Sequence, residues 1–286
     1  MARLIRLEWL KLYGKLRSWL GFAIVLALTA LFVLSFRLGG AGHGIEQGLH
    51  SSLGDEFIIV GRVINGFFVT RIMFGAFFVI LVMFTALAVG DIVAGESQDG
   101  TLRTILCRPP SRSRLLLAKA TAAVGYVGSQ ALFMIAAPLA VFLIVFGVGP
   151  MILGSWQVPG GNIAIVGPAE AMTRLGLVAV YATLGLTVIA MLAMLLSVMV
   201  DRPLGPAIGT VVILFVLLIL SQIPVPMFER MSKYFFTKHM MEPLDKLMAD
   251  PIPWHDVGIS ALWLAGYAVG LALLALLIFR RRDVKT

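Results

Sequence analysis

Met and His side chains that could bind a metal lie close together in residues 224–256. Thioether and imidazole groups suit Cu(I), so one interpretation of this segment is metal delivery. The methionines also recur at near-helical spacing among charged residues, which is typical of a helix at a membrane surface, where flexible methionine is a common filler. No spacing here sets a coordination geometry, so we favour the surface helix and expect no metal site. The candidate ligands under the first interpretation are Met227, Met231, His239, Met240 and Met241.

Carboxylates that could take part in acid–base chemistry are few. Asp91, Glu96 and Asp99 fall in a polar insert, residues 90–119, but no motif ties them to one another or to the scattered histidines. The phosphate-binding pattern G-x-x-x-x-G-K-[ST] is absent, because the one Gly-Lys pair is followed by Leu at residues 14–16. We therefore expect no enzymatic activity and no cofactor in this chain.

The composition indicates that these polar residues are positioned by membrane-spanning helices. The chain is 59% hydrophobic and 13% charged, with a mean hydropathy of +0.97. Runs of about 20 apolar residues are long enough to cross a bilayer core of about 30 Å. We predict an all-α membrane protein with one domain, residues 1–286, and six transmembrane helices. The predicted spans are residues 19–36, 72–89, 120–148, 175–200, 204–223 and 257–279.

Residues 1–18 precede the first span and have the pattern of an amphipathic helix. Ile5, Trp9, Leu12 and Leu16 recur at helical spacing beside a basic face. Basic residues before an apolar stretch also occur in signal peptides, but this stretch is long and no clear cleavage site follows it. We favour an uncleaved anchor with an interfacial helix on an anionic membrane surface.

Six spans place both termini on one side of the membrane, and basic residues indicate which side. Fifteen of the 23 Lys and Arg residues fall on the side that holds the termini. Because basic segments accumulate in the cytoplasm, we expect both termini to be cytoplasmic, in the cytoplasmic (inner) membrane of a bacterium. The net charge of +8 then faces anionic lipid headgroups, and no nucleic-acid partner is needed to explain it.

The insert 90–119 is the longest polar segment on that side. Asp99 is a good N-cap for a short helix, in which Leu102 and Leu106 share one face. Pro109 would end this helix, and Ser111 or Ser113 would cap the next one. The pattern predicts a short helix held between two spans, with one face that can dock against another protein.

A resemblance to a known family rests on this insert. It fits the spacing E-x-x-x-G-T-L-x-x-x-L-x-x-P-x-x-R-x-x-x-x-x-x-K, which resembles the cytoplasmic loop of type-two permeases of ATP-binding cassette (ABC) exporters. Residues 4–11 resemble the interfacial helix that opens those permeases. The residues that match the loop pattern are Glu96, Gly100, Thr101, Leu102, Leu106, Pro109, Arg112 and Lys119.

The resemblance implies a division of labour between subunits. A cytoplasmic coupling helix would sit in a groove of a separate ABC ATPase, present in two copies, which would hold the ATP and Mg. A second permease, expected to be a copy of this chain, would complete a central pathway. Short helices before the last span, here in residues 224–256, would form a helical hairpin that covers the outer mouth. The residues implied at the ATPase contact are Glu8, Lys11, Glu96, Asp99, Gly100, Thr101, Leu102, Leu106, Pro109 and Arg112.

Two other functions stay open at this point. A self-contained channel or secondary carrier would transport a solute without an ATPase. The predicted spans hold no Asp, Glu, Lys, Arg or His, whereas ion-driven carriers usually need such a residue at membrane depth. A membrane-embedded enzyme that modifies lipids is the third interpretation, and it lacks a recognisable catalytic motif.

Overall fold

The computed structural model of the protein describes residues 1–38, 65–100, 111–153 and 164–281. This part of the chain is helical apart from two short strands, β1 (Met151–Leu153) and β2 (Ala164–Val166). The helices are α1 (Ala2–Tyr13), α2 (Leu16–Leu38), α3 (Gly66–Gln98), α4 (Arg112–Phe146), α5 (Pro168–Met199), α6 (Leu204–Gln222), α7 (Pro226–Ser232), α8 (Phe236–Lys246) and α9 (Trp254–Arg281).

Six of these helices, α2 to α6 and α9, are long and apolar enough to cross a membrane. The prediction of six apolar spans is thereby confirmed by length and composition. Contacts between helix ends show that α3 and α4 run in opposite directions: Glu96 near the end of α3 pairs with Lys119 near the start of α4, and Gly66 at the start of α3 donates to the carbonyl of Gly147 after α4. The bundle therefore has a terminal end, where α1 packs, and an opposite end.

The six helices differ in how much of their apolar surface the protein itself covers. In α3 and α5 the most apolar stretch is 72% and 67% buried, against 17% in α2 and 22% in each of α6 and α9. The two central helices therefore form the core, and the outer helices present Leu, Ile and Val side chains to their surroundings. Lipid tails are as apolar as these side chains, so such faces are stable without protein partners.

Helix α3 extends beyond the predicted span, 72–89, at both ends. It begins after Asn65, whose Oδ1 accepts hydrogen bonds from the backbone N–H groups of Phe67 and Phe68 at 3.1 and 3.2 Å. It continues through the first part of the polar insert, because residues 90–98 contain no proline, and the two glycines there, Gly90 and Gly95, disfavour a helix far less than proline does.

Both ends of the predicted coupling segment, residues 90–119, thus belong to long helices: residues 90–98 to α3 and residues 112–119 to α4. Asp99, predicted to begin a short helix, instead follows the last residue of α3, and Gly100, with a φ of +69°, comes directly after it. Ser111 precedes α4 as predicted, without a capping bond from its side chain. Residues 101–110, which include Thr101, Leu102, Leu106 and Pro109, lie outside the described residues.

The opposite end also carries short regular elements. The segment between α4 and α5 contains β1 and β2, which pair antiparallel with Met151 opposite Val166. Between α6 and α9 the chain forms two short helices, α7 and α8. The buried face of α8 is Phe236, Met240 and Leu244, at helical spacing.

Candidate functional site

Four charged side chains at the terminal end form a group of ion pairs, here called the charge cluster: Glu8, Lys11, Glu96 and Lys119. Lys119 Nζ lies 2.7 Å from Glu8 Oε2 and 2.9 Å from Glu96 Oε2. Lys11 Nζ lies 3.2 Å from Glu8 Oε1 and 3.0 Å from Glu96 Oε1. Each ammonium therefore bridges both carboxylates, and the cluster as a whole is neutral.

Three helices supply the charge cluster. Glu8 and Lys11 are three residues apart on α1, which places them on one face of that helix. Glu96 lies in the last turn of α3. Lys119 follows Leu115 by one helical turn on the buried face of α4, so its side chain runs inward between the helices. The cluster thus ties the N-terminal helix to both helices that flank residues 99–111.

Three of the four side chains in the cluster are shielded from solvent. The side chain of Lys119 is 1% exposed, that of Glu8 5% and that of Glu96 11%, whereas that of Lys11 is 45% exposed. Burial alone would lower the pKa of Lys11, but the hydrogen bond and charge of Glu96, together with Glu8, outweigh it, so the pKa lies above its ordinary value. Removing one partner from a buried ion-pair group leaves an uncompensated charge, which typically costs about 3–5 kcal/mol.

A second carboxylate, Asp91, holds the start of α2. Lys15 Nζ lies 2.7 Å from Asp91 Oδ2, and Arg17 Nη1 lies 3.3 Å from Asp91 Oδ1. Gly95 makes room for this carboxylate, because a Cβ at that position would lie 2.5 Å from Asp91 Oδ1. Asp91 and Glu96, the two acidic residues near the end of α3, therefore both form ion pairs with cations from the N-terminal segment.

Helix α5 also holds the end of α3. The hydroxyl of Ser197 donates to the backbone carbonyl of Gly90 at 2.7 Å and accepts from the N–H groups of Val93 and Ala94 at 3.2 and 2.9 Å. One turn further on, Ser97 Oγ donates to Asp201 Oδ1 at 2.8 Å. The last two turns of α3 are thus bound from two sides.

Aromatic side chains pack α1 against α4. Trp9 and Tyr13 meet edge to face with ring centroids 5.5 Å apart, and Tyr13 meets Tyr126 of α4 at 5.6 Å. Tyr126 donates a hydrogen bond to the carbonyl of Ser18 at 2.8 Å. Helix α1 is therefore docked on the bundle, although Leu7 and Leu10 remain exposed on its other face.

A cleft of about 500 Å³ opens beside the charge cluster, between α1 and the ends of α3 and α4. Its walls include Glu8, Lys11, Glu96 and Asp99, four of the predicted contact residues. Gly100 and Arg112 flank the segment that the structure leaves undescribed. The structure thus brings part of the predicted site together, but it turns Glu8 and Glu96 inward, so these two carboxylates do not form an open docking surface.

Sequence reasoning missed the importance of Asp91 and Lys15, and it treated Lys119 only as part of the resemblance. The predicted spans stopped just short of buried charges: Lys119 and Arg174 each precede a predicted span by one residue. A signal was present in the sequence, since Lys119 shares a helix face with Leu115, Ala122 and Tyr126 and so interrupts an apolar stripe.

The opposite end has its own buried cation, here called the arginine anchor. Arg174 Nη1 donates to the carbonyl oxygens of Leu247 and Ala249 at 3.2 and 2.6 Å, which fixes the segment after α8 to α5. Its Nη2 lies 2.8 Å from Glu170 Oε1 and 3.5 Å from Asp250 Oδ1. Its Nε also donates to Glu170 Oε1 at 3.2 Å, so all five N–H donors of the guanidinium have an acceptor in residues 247–250 or in Glu170.

The candidate metal ligands of the less favoured interpretation lie apart from one another. Met240 is fully buried against α5, where its Cγ would lie 2.7 Å from a Cβ at Gly185, whereas Met227 and Met231 are exposed on α7. The ring nitrogens of His239 form hydrogen bonds with Ser260 Oγ and with the carbonyl of Lys233. Within the described ranges, no group of three or more His, Cys, Asp or Glu is arranged to hold a metal.

Six apolar helices, two central and four peripheral, together with buried ion pairs at the bundle ends, define a multi-pass helical membrane protein. The chain belongs to the DUF2705 family, described as proteins of unknown function, which matches residues 56–285. The matched region covers α3 to α9 and leaves out α1 and α2. No curated protein matches the sequence.

Proposed function

We propose that this chain is the permease subunit of an ABC transporter, of the exporting type by its loop pattern, and that a separate ATPase drives it through residues 99–111. The observation that carries the proposal is the charge cluster. It joins α1 to the end of α3, which precedes that segment, and to the first turns of α4, which follows it.

The geometry suits the transmission of a displacement. A force applied to residues 99–111 would reach the end of α3 and the start of α4 together, because Lys119 binds Glu96 directly. It would also move α1, because Glu8 and Lys11 complete the same cluster. Rigid elements linked by close ion pairs move as one body, as hinge and shear transitions require. In this proposal Glu8 and Glu96 transmit motion within the chain, and the neighbouring exposed residues make the contact with the ATPase.

The energy source is proposed to lie in the partner. The sequence lacks the phosphate-binding loop, and the Gly-Lys pair at residues 14–15 lies between α1 and α2, where Lys15 binds Asp91. Two ATPase copies and a second permease, a copy of this chain, complete the proposed assembly.

A secondary carrier is the second candidate, and the structure changes the argument about it. The helices extend beyond the predicted spans, and the extensions contain buried ionisable residues, among them Asp91, Lys119 and Arg174. These residues lie at the bundle ends and form ion pairs there. Along α3 from residue 72 to 90, α4 from 120 to 146 and α5 from 175 to 199, no Asp, Glu, Lys, Arg or His occurs. A proton or ion relay across the membrane needs such groups at depth, so the ATPase-driven function remains the better supported proposal.

Purification of the tagged chain from its native host tests the partner. We expect a nucleotide-binding subunit to co-purify and its ATP hydrolysis to depend on the permease. Vesicles that contain only this chain should not accumulate a solute against a gradient. Uphill transport by the chain alone would contradict the proposal.

Substitution of Gly100 tests the coupling segment. Gly100→Pro removes an N–H that donates to Ser97 at 3.2 Å, and proline cannot adopt a φ of +69°. We expect loss of permease-stimulated ATP hydrolysis with membrane insertion intact. The matched control is Gly147→Pro, the same change at a glycine with a φ of +81° at the opposite end. It should retain association with the ATPase. Unchanged stimulation in Gly100→Pro would refute the role of this segment.

A further inference from the structure

A second cavity, of about 280 Å³, lies near the opposite end of the bundle between α3, α5 and α8. Its walls are mainly buried apolar side chains, among them Phe74, Phe78, Leu175 and Val178. The volume is close to that of nine water molecules at about 30 Å³ each, so it holds a chain of roughly that number of heavy atoms. Such a size is just below the usual range for ligand pockets, about 300–1,000 Å³, and therefore suits a small ligand.

Two oppositely charged residues, Arg71 of α3 and Asp245 of α8, line this apolar cavity. They interact electrostatically, and both are half-buried. Burial raises the pKa of the Asp245 carboxyl, and the charge of Arg71 offsets this only in part, so the pKa stays above its usual range. Ionisation of the buried Asp245 carboxyl is thus unfavourable, whereas the Arg71 guanidinium remains charged at all ordinary pH values.

The other charged groups on α5 and α8 near the cavity pair with one another, apart from Lys238, which is exposed. On α8, Lys246 pairs with Glu242 at 2.8 Å and with Asp256 at 3.0 Å. On α5, Arg174 pairs with Glu170. These pairs leave Arg71 and Asp245 as the charged residues that line the cavity itself.

The depth of the cavity matches an amphiphile. Arg71 lies five residues after the start of α3, about 8 Å along the helix axis, and the apolar wall continues further into the bundle at Phe74 and Phe78. A polar group at this level can meet Arg71 while an apolar chain follows the helix inward. Arg is well suited to carboxylate and phosphate groups, because its planar fork donates two parallel hydrogen bonds.

We propose that this cavity binds an anionic amphiphile, with its carboxylate or phosphate on Arg71 and its apolar chain between α3, α5 and α8. The ligand displaces Asp245 from Arg71, and the Asp245 carboxyl takes up a proton. The ligand can come from the lipid bilayer or from a free fatty-acid-like molecule, since both have this chemistry. The inference is independent of the ATPase proposed above.

Photo-crosslinking tests the site. The full chain in nanodiscs of neutral phosphatidylcholine is labelled with a diazirine analogue of octanoate, and the labelled peptides are identified by mass spectrometry. We expect labelling in α3 and α8 that octanoate competes away at least about tenfold better than octanol or octyltrimethylammonium, as the loss of a charge-assisted hydrogen bond implies. Equal competition by the three compounds would overturn the proposal.

Three variants separate charge from shape. Arg71→Gln should reduce labelling about tenfold. Asp245→Asn should retain or increase it and should abolish any gain in labelling toward acid pH. Gly75→Leu should block the cavity without altering either charge, because Gly75 lines the cavity and a Cβ there meets no atom within 4 Å. Arg230→Gln, an exposed cation on α7, is the matched control and should label as the unaltered protein does.

The outcomes remain decisive if one variant folds poorly. Thermal unfolding of each variant shows whether it is folded, and Gly75→Leu replaces a helical glycine by a better helix former. Labelling that persists in Gly75→Leu, or that falls equally in Arg71→Gln and Asp245→Asn, would contradict an anion site. Nanodiscs that contain phosphatidylglycerol distinguish the two sources: suppressed probe labelling identifies the bilayer as the source, and unchanged labelling identifies a free amphiphile.

Discussion

The two ends of the bundle both bury cations, but they satisfy them in different ways. At the terminal end, Lys119 is bound by two carboxylates, Glu8 and Glu96, that are themselves almost fully buried. At the opposite end, Arg174 is bound by two backbone carbonyl oxygens, and its acidic partners are half exposed, Glu170 at 49% and Asp250 at 47%.

The difference indicates different roles. Backbone carbonyls are part of the fold and present whatever the side chains are, so the arginine anchor fixes one segment in one position. In the charge cluster the ion-pair partners are side chains from three helices, and Lys119 has one further acceptor, the carbonyl of Ile92 at 3.4 Å. Each buried carboxylate depends on the two lysines for its counter-charge. The cluster is therefore the more easily destroyed by one substitution, and it is the part that couples three helices.

The largest expected effect is the loss of Lys119. Lys119→Met keeps the length of the side chain but leaves Glu8 and Glu96 with one half-exposed lysine, Lys11. We expect the free energy of unfolding to fall by about 3–5 kcal/mol, measured by chemical denaturation of the detergent-solubilised protein. The matched control is Lys15→Met, which removes a more exposed cation at the same end and should cost less than about 1 kcal/mol.

A double variant sharpens this test. Glu8→Gln combined with Lys119→Met removes one charge of each sign, so it should recover part of the stability that Lys119→Met loses, with a coupling of about 0.5–3 kcal/mol. Strictly additive effects would show that the cluster does not act as a unit.

The loss of Arg174 should have the next largest effect. Arg174→Leu leaves the carbonyl oxygens of Leu247 and Ala249 without their donor, and each buried acceptor left unsatisfied costs about 1–3 kcal/mol. We expect a total loss of about 2–4 kcal/mol and greater protease sensitivity of the segment between α8 and α9. A loss below that caused by Lys15→Met would contradict the distinction between the two ends.

A smaller effect is expected at Gly95. A Cβ in Gly95→Ala would lie 2.5 Å from Asp91 Oδ1 and 3.3 Å from Lys15 Nζ, so this ion pair must shift. Such overpacking costs about 1–3 kcal/mol, against a gain of up to about 1 kcal/mol from helix propensity. Gly258→Ala on α9 provides the control, because a Cβ there meets no atom within 4 Å. Its midpoint of thermal unfolding should stay the same or rise, whereas that of Gly95→Ala should fall.

The smallest effect is expected at Glu170. Its carboxylate is half exposed and forms an i, i+4 pair with Arg174, so Glu170→Gln should cost less than about 1 kcal/mol. A loss as large as that of Arg174→Leu would mean that ion pairs, and not the carbonyl oxygens, hold the arginine anchor. The two ends would then work by the same principle.

Much of the candidate site could be predicted, but its orientation could not. Glu8, Lys11, Glu96 and Asp99 were expected near one another, and they line one cleft. The sequence pattern gave no reason to place the carboxylates inward, because an amphipathic helix with a basic face is compatible with several rotations on the membrane surface. The rotation depends on Lys119, which contacts Glu8 across 111 positions of sequence.

The helical segment between α6 and α9 shows a similar limit. The methionine spacing predicted one stripe along a surface helix, but the chain forms two helices, and the buried stripe lies on α8 at Phe236, Met240 and Leu244. The apolar periodicity was present in the sequence. What decided the buried face was contact with α5, where Gly185 leaves room for Met240.

The amino-acid sequence alone determined the class of the protein and its six apolar helices, because the thickness of a bilayer demands runs of about 20 apolar residues that can be counted without a structure. Only the tertiary structure decided that α3 and α5 are central and that the charges next to the spans are buried in pairs. The physical reason is that hydropathy is a sum over neighbours in sequence, whereas an ion pair depends on the positions of two side chains from distant parts of the chain.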